Sequence, residues 1–89
     1  MAGERRFGNR RPLSAKAQVE WNNPAQQTIQ VLGDVADLSD SGARLHLDRP
    51  VPVNTSIHLA AGSQKRKCTV RYCVKRIRGY AIGVSFDPS

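Results

Sequence analysis

The chain has little with which to do covalent chemistry. Among its 89 residues there are only two cysteines, two histidines and seven acidic side chains. Cys68 and Cys73 stand five apart on one predicted strand, a spacing that puts them on opposite faces and argues against a disulfide between them. Two thiols without a second Cys/His pair at ligand spacing do not make a zinc site, and they suit a reducing compartment. His46 and His58 fall at outward positions of separate strands where they can approach each other, but the third ligand that a metal needs is missing. No metal and no cofactor is expected. There is no Ser/His/Asp order, no paired-carboxylate pocket and no Gly-x-x-x-x-Gly-Lys phosphate loop, so no enzyme is expected either.

Long apolar runs are missing as well. None approaches the roughly 18 residues of a membrane helix, and the N-terminus carries arginines rather than an apolar leader, so neither membrane insertion nor secretion is expected. A cytoplasmic address follows as the default. Acidic residues are half as many as the fourteen basic ones, which leaves a formal net charge of +7 and an affinity for anions: nucleotides, nucleic acid or an acidic protein face. Aromatics are scarce, at two Phe, two Tyr and one Trp, so few are placed to stack on a single-stranded nucleic acid. The length fits one domain with a small core.

What the chain does have is alternation with period two, the signature of half-buried strands. Ala15, Ala17, Val19 and Trp21 share one face of a first strand, which Asn22-Asn23-Pro24 ends. Thr28 to Ala36 forms a second, with Gly33 marking a bulge or sharp bend. Leu45 and Leu47 point inward opposite Arg44 and His46; Asp48-Arg49-Pro50-Val51-Pro52 then breaks the strand, and Ile57 and Leu59 resume the inward stripe. Cys68, Val70, Tyr72 and Val74 alternate against Lys67, Thr69, Arg71 and Cys73, and a turn at Arg78-Gly79 leads to Tyr80, Ile82, Val84 and Phe86. Six short strands, each apolar on one face, must close into a barrel or sandwich to bury that face and avoid open edges.

Two segments carry ligand chemistry. Asp37-Leu38-Ser39-Asp40-Ser41-Gly42 spaces a carboxylate, a hydroxyl and a glycine through a turn between strands: an acceptor for N–H donors, a group that donates or accepts, and a position where no Cβ keeps a flat ring off the backbone. Asp40 occupies an unconstrained, solvent-facing position. Upstream, Arg5-Arg6-Phe7-Gly8-Asn9-Arg10-Arg11 offers guanidinium forks that bind phosphate oxygens in pairs. Together they suggest a ligand with phosphates and purine-like edges.

Arg6-x-x-x-Arg10 at the start of a small β domain, followed after the second strand by Asp37-x-Ser39-x-x-Gly42, resembles the PilZ domain, the bacterial receptor module for cyclic di-GMP. Arg11-Pro12-Leu13 and the closing Ile82-Gly83-Val84-Ser85-Phe86 are similar to the family's pattern too, so the resemblance runs from about Glu4 to Phe86. It implies an all-β, six-stranded antiparallel barrel over residues 12–87, preceded by a flexible basic arm over residues 1–11. The family commonly adds a C-terminal helix, which is expected to be absent or truncated here because the chain stops at Asp87-Pro88-Ser89.

The resemblance also implies roles. Arg6 and Arg10 take phosphates or guanine O6 and N7, with Arg5 and Arg11 as supplementary charge. Asp37 accepts from guanine N1–H and N2–H or caps its own turn, and Ser39 bonds the ligand or the turn backbone. Gly42 supplies a positive φ or a close approach, and Gly83 lies on the outer barrel face as a flat platform. Phe7 anchors the arm on the barrel or stacks on a base. Tyr72 corresponds to an aromatic beside the ligand in similar domains, although its parity with Val70 and Val74 places it in the core. The expected function is a non-enzymatic cyclic di-GMP receptor whose arm orders on binding and signals to a protein partner. The alternatives are a basic small barrel that binds nucleic acid through Lys65-Arg66-Lys67 and Lys75-Arg76-Ile77-Arg78, against which the scarcity of aromatics counts, and a PilZ-like scaffold that binds protein only.

Overall fold

In a computed structural model of the chain, residues 11–88 are described, with side chains over residues 15–88. Six strands follow one another: β1 (Arg11–Asn22), β2 (Thr28–Leu38), β3 (Gly42–Leu47), β4 (Ser56–Ala61), β5 (Gln64–Lys75) and β6 (Tyr80–Phe86). Every pairing is antiparallel, and the order β1-β2-β3-β6-β5-β4 closes where β4 pairs back onto β1 through Gln18↔Ala60, Val19↔Leu59 and Glu20↔His58. Closure removes the unpaired edges that an open sheet of such strands would expose. No helix occurs among the described residues.

Alternation explains most of the interior. Val19, Ile57, Cys68, Val70 and Ile82 are wholly buried, with Leu45, Leu47 and Val51 nearly so, and Trp21 fills one end. Each such aliphatic side chain stabilises the fold by about 1.5–3 kcal/mol relative to an exposed one. Val51 reaches the core from the proline-flanked loop after β3. The next turn is tied to β5, as Asn54 N–H donates to the Val70 carbonyl at 2.8 Å and Val70 N–H to the Thr55 carbonyl at 2.9 Å. The β1–β2 turn is capped by Asn23, whose side-chain oxygen accepts from Gln27 N–H at 2.9 Å.

Three expectations need correction. Gly33 is not a bulge: its pairing with Ala17 is regular, and the glycine makes room inside the barrel for Leu47, whose Cδ2 occupies the place of the missing Cβ. Bulges fall elsewhere, at Ala36 where β2 passes β3, between Pro12 and Ala15 in β1, and at Arg71 in β5. The extra residue at Arg71 reverses the parity of everything after it. Cys73 therefore packs against the core on the same side as Cys68, while Tyr72 and Val74 turn outward at 41% and 44% exposure. Both cysteines are free, and burial, followed by the nearby Asp87 carboxylate, pushes the Cys68 thiol up to about 11. Finally, His46 and His58 do not approach each other, because β3 and β4 are not neighbours in the barrel.

Candidate functional site

Two of the bulges build one surface. By alternation from Val31 and Val35, Asp37 would point into the barrel, but the extra residue at Ala36 turns it outward, where it pairs with Arg44 of β3. Arg44 pairs with Gly83 of β6, and Gly83 with Tyr72 of β5, itself turned outward by the bulge at Arg71. Asp37, Arg44, Gly83 and Tyr72 thus form a single row across four strands on the outer face. Around it runs an open groove of about 360 Å³, whose walls include Ser39, Gly42, Arg71 and Ser85.

The row is electrostatically organised. Arg44 donates through Nε to Asp37 Oδ2 at 3.0 Å, and its Nη2 closes a second contact to the same oxygen. Oδ1 accepts no hydrogen bond from the described residues. The Asp37 carboxylate, with the Tyr72 hydroxyl as a smaller contributor, raises the Arg44 guanidinium above its ordinary value, so this cation holds its proton firmly. Arg71 is steadied by donating through Nε to Ser85 Oγ at 2.8 Å. Neutralising Asp37 with an in-sheet cation removes the repulsion that a lone carboxylate would present to an anionic ligand.

The turn beside the row is tightly closed. Ser39 N–H donates to the Gly42 carbonyl at 2.9 Å and its hydroxyl reaches the same oxygen at 3.3 Å, while Asp40 stays exposed. Gly42 does not take a positive φ. It is needed for close approach, since a Cβ there would run into the Val84 carbonyl oxygen and sit 3.1 Å from Ser85 Cα. Gly83 faces outward as expected, yet it is no open platform: the Tyr72 ring lies directly over it.

The structure therefore brings Asp37, Ser39, Gly42 and Gly83 into one groove. Arg11 opens β1 opposite Leu38, so the chain enters the barrel beside this turn, while Arg5, Arg6 and Arg10 lie outside the described residues. Sequence reasoning missed Arg44, Arg71 and Ser85. A symmetric hairpin drawn about the Ser39–Gly42 turn would have paired Asp37 with Arg44, and plain alternation already turns Arg71 outward; no local signal marks the bulge that turns Tyr72 out beside it. Among the described residues no three His, Cys, Asp or Glu side chains cluster to hold a metal. A cation pair, a carboxylate, hydroxyls and one aromatic ring suit reversible binding of an anion with a flat polar base.

The model of the PilZ domain family matches residues 4–89 of the chain. No curated protein matches it.

Proposed function

We propose, since this chain belongs to the PilZ domain family, a family of cyclic di-GMP receptors, that it binds cyclic di-GMP in the groove beside the Ser39–Gly42 turn. The observation that carries this reading is the outward row of Asp37, Arg44, Gly83 and Tyr72, set against the point where the chain enters the barrel at Arg11. Asp37 Oδ1 accepts from guanine N1–H and N2–H, donors that no cation can satisfy. The Tyr72 ring supplies a face for the base, and Ser39 bonds the ligand through a remaining lone pair. Arg6 and Arg10 clamp phosphates or guanine O6 and N7 from the arm, with Arg5, Arg11 and Arg71 adding positive potential.

In this reading the domain catalyses nothing. It converts ligand concentration in a bacterial cytosol into an ordered N-terminal arm, which a downstream protein partner reads. Calorimetry on the full chain tests it. Cyclic di-GMP should bind, linear GMP should bind much more weakly, and Arg6→Ala, Arg10→Ala or Asp37→Ala should each cost about 1.5–3 kcal/mol. Asp37→Ala should leave or improve any binding to duplex DNA. Absence of heat with micromolar cyclic di-GMP, or equal loss of nucleotide and DNA binding in Asp37→Ala, would overturn the assignment.

A further inference from the structure

The hairpin joining β5 to β6 ends in Lys75-Arg76-Ile77-Arg78-Gly79. Ile77 at its tip is 99% exposed, far beyond any other large hydrophobic residue among those described. The tip is nevertheless well held. Arg76 N–H donates to the Gly79 carbonyl at 2.9 Å, and Gly79 takes the positive φ of 78° that closes the turn. His46 of β3 donates from Nε2 to the Arg78 carbonyl, since that oxygen can only accept. Nothing in the packing of the barrel calls for an aliphatic residue at 77.

The surroundings are cationic and amphipathic. Lys75, Arg76 and Arg78 make no ion pair with any described residue, whose salt bridges are Lys16–Asp34, Arg44–Asp37 and Arg49–Asp48. The Lys75 ammonium lies over the Tyr80 ring, 5.3 Å from its centre, and Val74 beside it is 44% exposed.

We propose that this tip seats the protein on an anionic lipid bilayer. Ile77 enters the boundary between headgroups and acyl chains while Lys75, Arg76 and Arg78 meet the headgroup phosphates. An aliphatic apex, cations on both sides and a tyrosine at the base reproduce the layering of a water–lipid interface. A duplex nucleic acid would satisfy the cations but could bury Ile77 only by unstacking a base step, at a cost of about a few kcal/mol that a bilayer does not impose. An acidic protein would need a pocket shaped to a convex tip, whereas a bilayer yields to it. The contact is peripheral: among the described residues no helix is long and apolar enough to cross a membrane. Three cations and one aliphatic side chain give a weak, reversible association, with half-binding at about a millimolar of accessible lipid. The proposal does not rest on the cyclic di-GMP reading.

Vesicle flotation of the full chain tests it, comparing phosphatidylcholine vesicles with vesicles rich in phosphatidylglycerol. The wild type should float with the anionic vesicles only. Ile77→Ser should weaken binding about 10-fold, and the combined Lys75→Gln, Arg76→Gln, Arg78→Gln variant about 100-fold. Lys65→Gln with Lys67→Gln, at the other end of β5, should change it only a few-fold. All the altered side chains are exposed, and circular dichroism checks that the fold is kept. No flotation, an Ile77→Ser variant that floats like the wild type, or equal loss per charge at both ends of β5 would overturn the proposal. Binding to an acidic polypeptide without binding to vesicles would assign the tip to a protein instead.

Discussion

Gly42 and Gly83 sit two strand positions apart in the groove and are intolerant of a side chain for different reasons. A methyl group at Gly42 collides with the backbone of β6, at the Val84 carbonyl and Ser85 Cα, and neither can move without parting β3 from β6. At Gly83 the obstacle is the ring of Tyr72, a half-exposed side chain that can swing away. Gly42→Ala should therefore destabilise the barrel by about 1–3 kcal/mol, which in a domain of this size lowers the melting temperature by about 4–8 °C per kcal/mol. Gly83→Ala should cost under about 1 kcal/mol and act on the ligand surface instead. Thermal melts followed by circular dichroism will separate them, and equal losses would show that Tyr72 is fixed in place. The close approach at Gly42 was legible because the motif spaces it against a turn. The cover over Gly83 was not, because alternation puts Tyr72 in the core until the bulge at Arg71 turns it out.

At the level of the strand, apolar alternation made the six elements and most of the core readable. Ala17, Val19, Trp21, Leu45, Leu47, Ile57, Leu59 and Ile82 all lie where period two puts them. Legibility failed where an unpaired residue reset the parity, at Ala36 and Arg71, since a bulge leaves no trace in an apolar pattern until the opposing strand is known. Those two interruptions are what bring Asp37 and Tyr72 to the surface. Removing the second has an unusual expected outcome. Without Arg71, Val70 still points inward, Tyr72 outward and Cys73 inward, so the β5–β6 ladder becomes regular instead of slipping. The deletion variant should keep the far-ultraviolet dichroism of the native barrel while losing about 10-fold or more in cyclic di-GMP affinity, through loss of a cation at the groove. Collapse of the fold would show that the local twist of the bulge is needed for closure. Unchanged affinity would remove Arg71 from the site.

On the scale of the molecule, closure through the β1–β4 seam makes the barrel a stiff platform, and any response to ligand has to be carried outside it. Hydrogen exchange with cyclic di-GMP should accordingly show protection gained over residues 4–11 and 37–42, with the strands over residues 68–74 and 80–86 little changed. An arm already protected in the free protein, or unchanged at saturation, would refute the switch even if binding is confirmed. β1 and β6 do not pair, yet their outer ends converge on the β2–β3 turn. Arg11 lies opposite Leu38, Gly42 opposite Ser85, and Phe86 N–H donates to the Ser41 carbonyl at 2.8 Å, so both ends of the barrel come out beside the same turn. Spliced into a surface loop of another protein, such a barrel would span the gap like a buckle, with its two straps leaving from one side. A molecule wedged at that turn would touch both straps at once, so its arrival is felt at the two points where the chain leaves the barrel.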